Sequence, residues 1–197
     1  MIVTHRGKSP SIDPAATVAP SAVVCGDVTI GPGVRVLHGA VLTAEDGRIV
    51  VGEDTVVMEN ALVKARAGHD VLIGDAVVIG PHVHVNGAHI GDECFIATGA
   101  ALFPGAVLER GCEVRIRAVV QVNTVLAEGT LVPIGWIAAG TPATMLPPDR
   151  HEEVWAIQQD LDFTGTVYGV QRGTSMRELL RGQSDFYGAH DDDEIIG

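Results

Sequence analysis

The sequence predicts an all-β solenoid, a chain that coils into stacked turns of short strands. Its main signal is an apolar residue at every sixth position of residues 90–138. Nine residues keep this phase: Ile90, Ile96, Leu102, Leu108, Val114, Val120, Leu126, Val132 and Ala138. A small residue stands two positions before most of them, as Ala100 does before Leu102. Because residues i−2 and i of a strand share one face, each pair points inward and is buried only by stacking on neighbouring coils.

Composition gives an independent reason for a narrow interior. The chain has 197 residues, enough for a sizeable core, and 46% of them are hydrophobic, but only 4% are aromatic. An ordinary globular core contains more Phe, Tyr and Trp. A thin interior lined by Val, Ile and Ala has no room for large rings, so the composition agrees with the six-residue period.

The same period starts near the N-terminus, at Ile12, and polar segments interrupt it at residues 43–48 and 64–71. Twenty-one apolar anchors follow the pattern along the chain, which at three per coil predicts about seven triangular coils. The step from Val85 to Ile90 is five residues rather than six, so a tighter corner is expected there.

The end of the ladder divides the chain. We expect residues 1–146 to form the solenoid domain and residues 147–182 a C-terminal helical segment packed on it. The helix is expected to begin after Asp149, a typical N-cap with an acidic residue three positions later, and to cover exposed solenoid surface. Residues 183–197 are expected to be an acidic, mobile tail.

Charge and residue usage exclude several partners. A net charge of −12 argues against nucleic acid, which needs Lys and Arg at its phosphates, and against anionic membranes. No apolar run approaches the roughly 20 residues of a membrane span, and the N-terminus lacks the apolar centre of a signal peptide. The three scattered cysteines indicate neither a disulfide framework nor a metal-binding pair. We therefore expect a cytoplasmic protein without nucleic-acid or membrane partners.

Several motifs resemble known hexapeptide-repeat proteins that form a left-handed parallel β-helix. The closer likeness is to the γ-class carbonic anhydrases, including their five-residue step, and it covers about residues 10–160. The motifs that carry it are Gly39–Glu45, Val56–Ala61, Ile79–Gly87 and Ile90–Asp92. The resemblance implies a left-handed parallel β-helix with a C-terminal α-helix, assembly as a homotrimer, and a metal site between subunits.

The metal-binding positions of that family are all changed here. The three histidine positions fall on Lys64, Pro81 and Asn86. Proline has no side-chain donor, and a protonated lysine repels a dication. Zinc-dependent hydration needs three protein ligands and an open water position. The chain is therefore not expected to be a zinc carbonic anhydrase by the family's mechanism.

Two acidic positions of the family's motifs keep their chemistry, at Glu45 and Glu59. Together with Lys64 they are the candidate catalytic residues. They define a rebuilt pocket between subunits whose other candidate members are Met58, Pro81 and Asn86. An ammonium beside the glutamates would hold a small carboxylate or bicarbonate-like anion without a metal. The alternative is an intersubunit salt bridge between Lys64 and one of the glutamates.

No cofactor is predicted at the inherited positions. His82 and His84 lie close to the lost ligands, so zinc or another divalent metal at a relocated site, shared with a histidine from another subunit, is the less favoured alternative. Residue type alone sets no coordination geometry, and histidines on the outer face of a strand explain the pattern equally.

The sequence leaves three classes of function open. The chain is either an enzyme acting on a small carboxylate, bicarbonate-like or acyl substrate, an anion-binding module, or a scaffold trimer. An acyltransferase is compatible with Ala139–Ala143, although the lysine that commonly follows this motif is Thr144 here. The expected partners are further copies of the chain and a small anionic molecule. Whether the protein is catalytic is not decided by the sequence.

Overall fold

A computed structural model describes all 197 residues, and it confirms the parallel β-solenoid. The strands are β1 (Ile2–Thr4), β2 (Ser11–Ile12), β3 (Thr17–Val18), β4 (Val23–Ile30), β5 (Arg35–Val36), β6 (Val41–Val51), β7 (Val56–Val57), β8 (Leu62–Ala65), β9 (Val71–Ile73), β10 (Val78–Ile79), β11 (His84–Asn86), β12 (His89–Ile90), β13 (Phe95–Ile96), β14 (Ala101–Leu102), β15 (Val107–Leu108), β16 (Glu113–Val114), β17 (Val119–Val120), β18 (Val125–Leu126), β19 (Leu131–Val132), β20 (Ile137–Ala139), β21 (Thr144–Leu146) and β22 (Glu194–Ile195). The helices are α1 (His151–Gln158), α2 (Phe163–Tyr168) and α3 (Met176–Tyr187), followed by a 3₁₀ helix, Gly188–Asp192.

The strands stack in parallel on three faces. One face contains β3, β5, β7, β10, β13, β16 and β19 in a sheet of their own. The other two faces share one sheet because β4 and β6 run through the corner between them. The N-terminal half of β4 pairs with β1, and its C-terminal half pairs with β2.

The solenoid has about eight turns rather than the expected seven. The additional rung is β1, which pairs with β4 through Ile2 and Val24. This strand is out of phase with the six-residue ladder because a small hairpin, closed by His5 and Lys8, lies between it and β2. The period of the sequence therefore begins one rung later than the fold does.

The core is one continuous cluster of 36 buried residues, all of them Val, Ile, Leu, Ala or Cys. The anchors from Ile90 to Ala138 are all buried, and the small residues Cys94 and Cys112 fill inward positions beside them. The absence of aromatic side chains from this cluster agrees with the narrow interior that the composition indicates.

The interruptions of the ladder leave the solenoid at the same corner. Residues 45–48 and 66–70 project side by side, and the Asp46 Oδ1 atom accepts a 2.8 Å hydrogen bond from the Ala67 backbone N–H. A Cβ atom on Gly47 would lie 2.6 Å from the Arg66 carbonyl oxygen, so this close approach requires glycine. Together with the His5–Lys8 hairpin these segments form what we call the loop corner.

The C-terminal segment packs back over the loop corner. The helical segment continues to Tyr187, beyond the expected residue 182, and Arg66 donates to the Gln183 side chain from the loop corner over 3.3 Å. In the segment expected to be an acidic, mobile tail, β22 pairs antiparallel with β1, with Ile195 opposite Val3. This pairing and the contacts described below connect the segment to the solenoid. None of the helices has the length and apolar character needed to span a membrane.

Candidate functional site

A buried carboxylate, that of Glu45, lies at the loop corner with only 3% of its side chain exposed. Its Oε1 atom accepts a 3.1 Å hydrogen bond from the Thr43 hydroxyl and lies 3.6 Å from Lys64 Nζ. Its Oε2 atom lies 2.9 Å from His190 Nε2 and 4.0 Å from His5 Nε2. Residues from two solenoid rungs, the first hairpin and the C-terminal segment therefore meet at one carboxyl group.

The two histidines form a stacked pair held by a second carboxylate. The ring centroids of His5 and His190 are 4.2 Å apart, with 23° between the ring planes. Asp193 Oδ1 lies 2.6 Å from His5 Nδ1, and Asp193 Oδ2 lies 2.8 Å from His190 Nδ1. Asp193 thus fixes both rings with their Nε2 atoms directed towards Glu45.

Charges around this pair shift the ionisation of its members. Burial opposes protonation of His190, but its hydrogen bonds to Asp193 and Glu45 and their negative charges outweigh burial and raise its pKa. Burial favours the neutral form of Asp193, but hydrogen bonds from His190 and His5 outweigh it and lower the pKa of this carboxyl group. Asp193 is therefore an ionised acceptor at neutral pH.

Cys25 lies beside the same cluster, with Sγ 4.0 Å from Asp193 Oδ2. Burial, followed by the charge of Asp193, raises the pKa of this thiol to about 11, so it stays protonated at neutral pH. Four potential ligand atoms lie within 4.8 Å of one another, one each from Cys25, His5, His190 and Asp193. Glu45 lies outside this group of four, although its Oε2 atom approaches the Nε2 atoms of both histidines.

Lys64 is engaged within its own chain. Besides its approach to Glu45, its ammonium donates a hydrogen bond to the Tyr187 hydroxyl on α3. The structure thus contains a Lys64–Glu45 pair within one chain, whereas the sequence offered such a pair between subunits.

A polar cleft opens next to this cluster, between the loop corner and α2. It has a volume of about 160 Å³. Its polar side chains are those of Asp46, Arg66, His69, Asn86, Thr166 and Tyr168. Burial and then the charge of Arg66 lower the pKa of His69, so this imidazole is neutral at pH 7. The Oδ1 atom of Asn86 is buried and has no hydrogen-bond partner.

Arg66 is the cation of this cleft. Its guanidinium donates to the Val167 carbonyl and the Gln183 side chain, both at 3.3 Å, and it lies 4.0 Å from the centre of the Phe186 ring. It forms no salt bridge with a carboxylate. The cleft thus contains a held, partly buried positive charge that no acidic side chain neutralises directly.

The remaining predicted site residues do not gather at one place in the chain. Glu59 is half-buried, and its side chain forms no hydrogen bond or salt bridge, so it does not join Glu45 and Lys64. Met58 and Pro81 line a groove on another part of the surface, whereas Asn86 lines the Arg66 cleft. Within one chain these candidates therefore lie on separate surfaces, and the pocket between subunits stays a prediction.

The histidines suggested for a relocated metal also lie apart from the cluster. His82 is exposed at a turn with a positive φ of 57°, and His84 is half-buried on β11. Burial and then the charge of Lys64 lower the pKa of His84. Neither residue belongs to the group of potential metal ligands in the chain.

Sequence reasoning missed His5, Arg66, His190 and Asp193. His5 precedes the first recognised rung, and Asp193 is 188 positions away from it in the chain. The acidic composition of the C-terminal segment suggested a solvated tail, which concealed its histidine. Only Arg66 had a usable signal in the sequence. It lies in an interruption of the six-residue ladder, where a side chain does not have to pack into the core.

Comparison with known proteins places this architecture in a class. No protein-family model matches the chain. Gamma carbonic anhydrase 1, mitochondrial, of Arabidopsis thaliana is 37% identical over 158 residues, covering 77% of this chain and 55% of that protein. An uncharacterized protein of Dictyostelium discoideum is 30% identical over 180 residues, covering 87% of this chain and 70% of that protein. A crystal structure of a hexapeptide transferase family protein from Anaplasma phagocytophilum aligns with a TM-score of 0.58 and 26% identity, over 96% of this chain and 93% of that one.

The fold and these likenesses define a hexapeptide-repeat protein. Within that class, the chain belongs to the gamma-carbonic-anhydrase-like family. It spans just over half the length, 55%, of the two Arabidopsis carbonic anhydrases that it matches. The positions that carry the family's zinc ligands do not fit a metal ion here, because Lys64 is paired with Glu45 and Pro81 offers no donor atom.

Removal of the Lys64 ammonium is expected to destabilise the fold. Lys64→Ala leaves the buried Glu45 carboxylate without its cation, and we expect a loss of about 2 kcal/mol in the free energy of unfolding, measured by urea denaturation. The control is Lys8→Ala, which breaks an exposed pair with Asp27 and is expected to lose less than about 1 kcal/mol. Equal losses would contradict a special role for the Lys64–Glu45 pair.

Proposed function

We propose that this protein is a homotrimer that has lost the family's intersubunit zinc site and binds a small carboxylate or bicarbonate-like anion. The observation that carries the proposal is the Arg66 guanidinium, which lines a small polar cleft and has no carboxylate partner. Planar arginine groups bind carboxylates through paired hydrogen bonds, so a bound anion would give Arg66 the carboxylate partner that the chain does not provide. The proposal includes catalytic activity with such an anion as the substrate.

Arg66 is a better anchor for the anion than Lys64. The Lys64 ammonium already lies 3.6 Å from Glu45, and that carboxylate would repel a second anion. Asn86 and Thr166 add polar groups to the Arg66 cleft, and the Asn86 amide can turn its NH₂ group towards an anion. A volume of about 160 Å³ is well below the 300–1,000 Å³ of drug-sized ligand sites, which favours a ligand of a few heavy atoms. Asp46 also lines the cleft, and its charge favours a monoanion over a polyanion.

Substitution of Arg66 is expected to weaken anion binding. For Arg66→Gln, we expect at least about a tenfold loss of affinity for bicarbonate and acetate, because hydrogen bonds to a charged group are lost. The measurement is titration of the anions into the full chain by NMR. Arg48→Gln is the matched control, because this arginine is already paired with Asp70 at 2.9 Å.

A second variant separates binding from packing, since Arg66 also contacts α3. Asn86→Asp keeps the size of the side chain and places a negative charge in the cleft, so it is also expected to weaken anion binding. Unchanged affinity in both variants, or no binding by the wild-type chain, would refute the proposed site. Acetyl-coenzyme A belongs in the same titration, because the likeness to the Anaplasma hexapeptide transferase supports acyl transfer as the alternative function.

The trimer is supported by an exposed apolar groove on the surface away from the loop corner. The groove has a volume of about 450 Å³ and is lined by Met58, Pro81, Phe95, Ile116 and Ile134 among others. Ile134 is 66% exposed in the single chain. Adjacent exposed apolar side chains of this kind are typical of association surfaces.

A charge in this groove is expected to separate the subunits. Ile134→Glu should shift the sedimentation coefficient from that of three chains to that of one, because a carboxylate would have to be buried in the interface. Leu180→Glu, on the exposed side of α3, is the control and should leave the assembly intact. A wild-type chain that sediments as a monomer would contradict the proposed trimer.

Carbon dioxide hydration provides a test of the lost zinc site. We expect no zinc-stimulated hydration in a stopped-flow pH-indicator assay, because Lys64, Pro81 and Asn86 cannot together hold the catalytic ion. A γ-class carbonic anhydrase with its three histidines serves as the positive control. Robust hydration that a chelator abolishes and that persists in Glu45→Gln would overturn the expectation, because this variant removes the carboxylate from the other histidine cluster of the chain.

A further inference from the structure

We propose that His5, Glu45 and His190 bind a divalent transition-metal ion inside one chain, with Asp193 orienting both imidazoles. These residues are distinct from the family's metal positions, which lie at Lys64, Pro81 and Asn86. The proposal does not depend on anion binding in the Arg66 cleft.

The positions of the protons give the first argument. Asp193 lies 2.6 and 2.8 Å from the Nδ1 atoms of His5 and His190, so an imidazole that donates to it has a proton on Nδ1. A neutral imidazole with a proton on Nδ1 has a lone pair on Nε2. Metal binding would displace any proton from His190 Nε2, and both Nε2 atoms could then act as ligands beside Glu45.

The facing acceptors give the second argument. His190 Nε2 and Glu45 Oε2 are 2.9 Å apart, a distance at which two lone pairs need a cation between them. A proton on His190 would satisfy this contact alone. It would leave His5 Nε2 without a partner, in a side chain that is 1% exposed, and an unpaired buried polar atom is unfavourable. A metal ion would satisfy both nitrogens and the carboxylate oxygen together.

Distances and chemistry agree with this assignment. Zinc bonds of about 2.0–2.1 Å in a tetrahedral site separate neighbouring N and O ligand atoms by about 3.3 Å. Glu45 Oε2 lies 2.9 Å from His190 Nε2 and 4.0 Å from His5 Nε2, so the His5 ring would have to tilt towards Glu45 by about 0.7 Å to share an ion with it. A carboxylate that accepts the other N–H of a ligand histidine is the usual partner of such sites, and Asp193 serves both rings in this way.

The local charge also favours a cation. The two carboxylates of Glu45 and Asp193 face the imidazoles, and a metal ion that replaced the proton attracted to His190 would meet the same negative charge. Two imidazoles and a carboxylate suit zinc and neighbouring first-row metals rather than calcium or magnesium. Because His5 and Asp193 are 188 positions apart, a bound ion would fasten the C-terminal segment to the first rung and stabilise the fold.

Metal binding by the full chain tests the proposal. After removal of metals with a chelator, titration with Zn²⁺ is expected to give one ion per chain and a higher Tm. Glu45→Gln keeps the shape of the side chain and is expected to lower the affinity at least about tenfold, since it removes a charged ligand. Circular dichroism establishes that the variant is folded. His84→Ala, at a histidine outside the cluster, is the matched control and should bind zinc normally.

The role of Asp193 needs a separate readout, because it acts through the histidines. Asp193→Asn is expected to lower metal affinity about 10- to 100-fold and to change the visible spectrum of the Co²⁺-loaded protein, as the imidazoles reorient. A purely structural role would lower Tm without changing that spectrum at saturating Co²⁺.

Three results would overturn the proposal. The first is a folded wild-type chain that binds no Zn²⁺ or Co²⁺, and the second is unchanged binding by Glu45→Gln. The third is a thiolate-to-cobalt charge-transfer band in the wild-type chain together with loss of binding in Cys25→Ser. That result would place the ion on the Cys25 side of the imidazoles. Arg66→Gln should bind metal normally, so failure of anion binding and failure of metal binding are distinguishable.

Discussion

In-register parallel pairing of successive coils is the constraint on which the rest of this structure depends. It places Cys25, Thr43, Lys64 and Asn86 next to one another on four neighbouring strands, although they are widely spaced in sequence. Backbone hydrogen bonds fix this column, and the side chains face outwards because the inward positions are filled by the aliphatic core. Segments inserted after these strands must leave the solenoid together. The loop corner and both candidate sites result from that alignment.

The chain shows how a rigid scaffold allows chemistry to change. In the family, the resemblance implies a metal between subunits, held by residues on the strands. Here those positions contain Lys64, Pro81 and Asn86, and the polar side chains that come together belong instead to the first hairpin, the loop corner and the C-terminal segment. The C-terminal segment contributes to both sites, since it brings His190 and Asp193 to Glu45 and covers Arg66. A fold shared with enzymes therefore does not determine which side chains meet.

The sequence predicted the solenoid because its interior accepts only a repeating pair of aliphatic and small residues, as at Leu102 and Ala100. The eighth rung was not predictable from that period, since the hairpin after Thr4 breaks the phase before the ladder begins. Of the candidate site, Glu45 and Lys64 were assigned to one pocket from the family's motif positions, and strand register brings them close within the chain because Lys64 pairs with Thr43, two residues before Glu45. Glu59 does not join them within one chain, because it lies in the turn after β7, and its place in a pocket between subunits stays a prediction. His5 and His190 could not be paired from sequence, because their contact depends on how the helices fold back.

The pairing of β22 with β1 has a consequence for solubility. The terminal coil of a parallel solenoid exposes backbone N–H and C=O groups that invite another solenoid to stack on it end to end. In this chain that edge is occupied by a short strand running in the opposite direction, preceded by Asp191, Asp192 and Asp193. A second molecule would meet an already paired strand and a cluster of negative charge. The same segment that completes the histidine cluster thus covers the edge of the solenoid at β1.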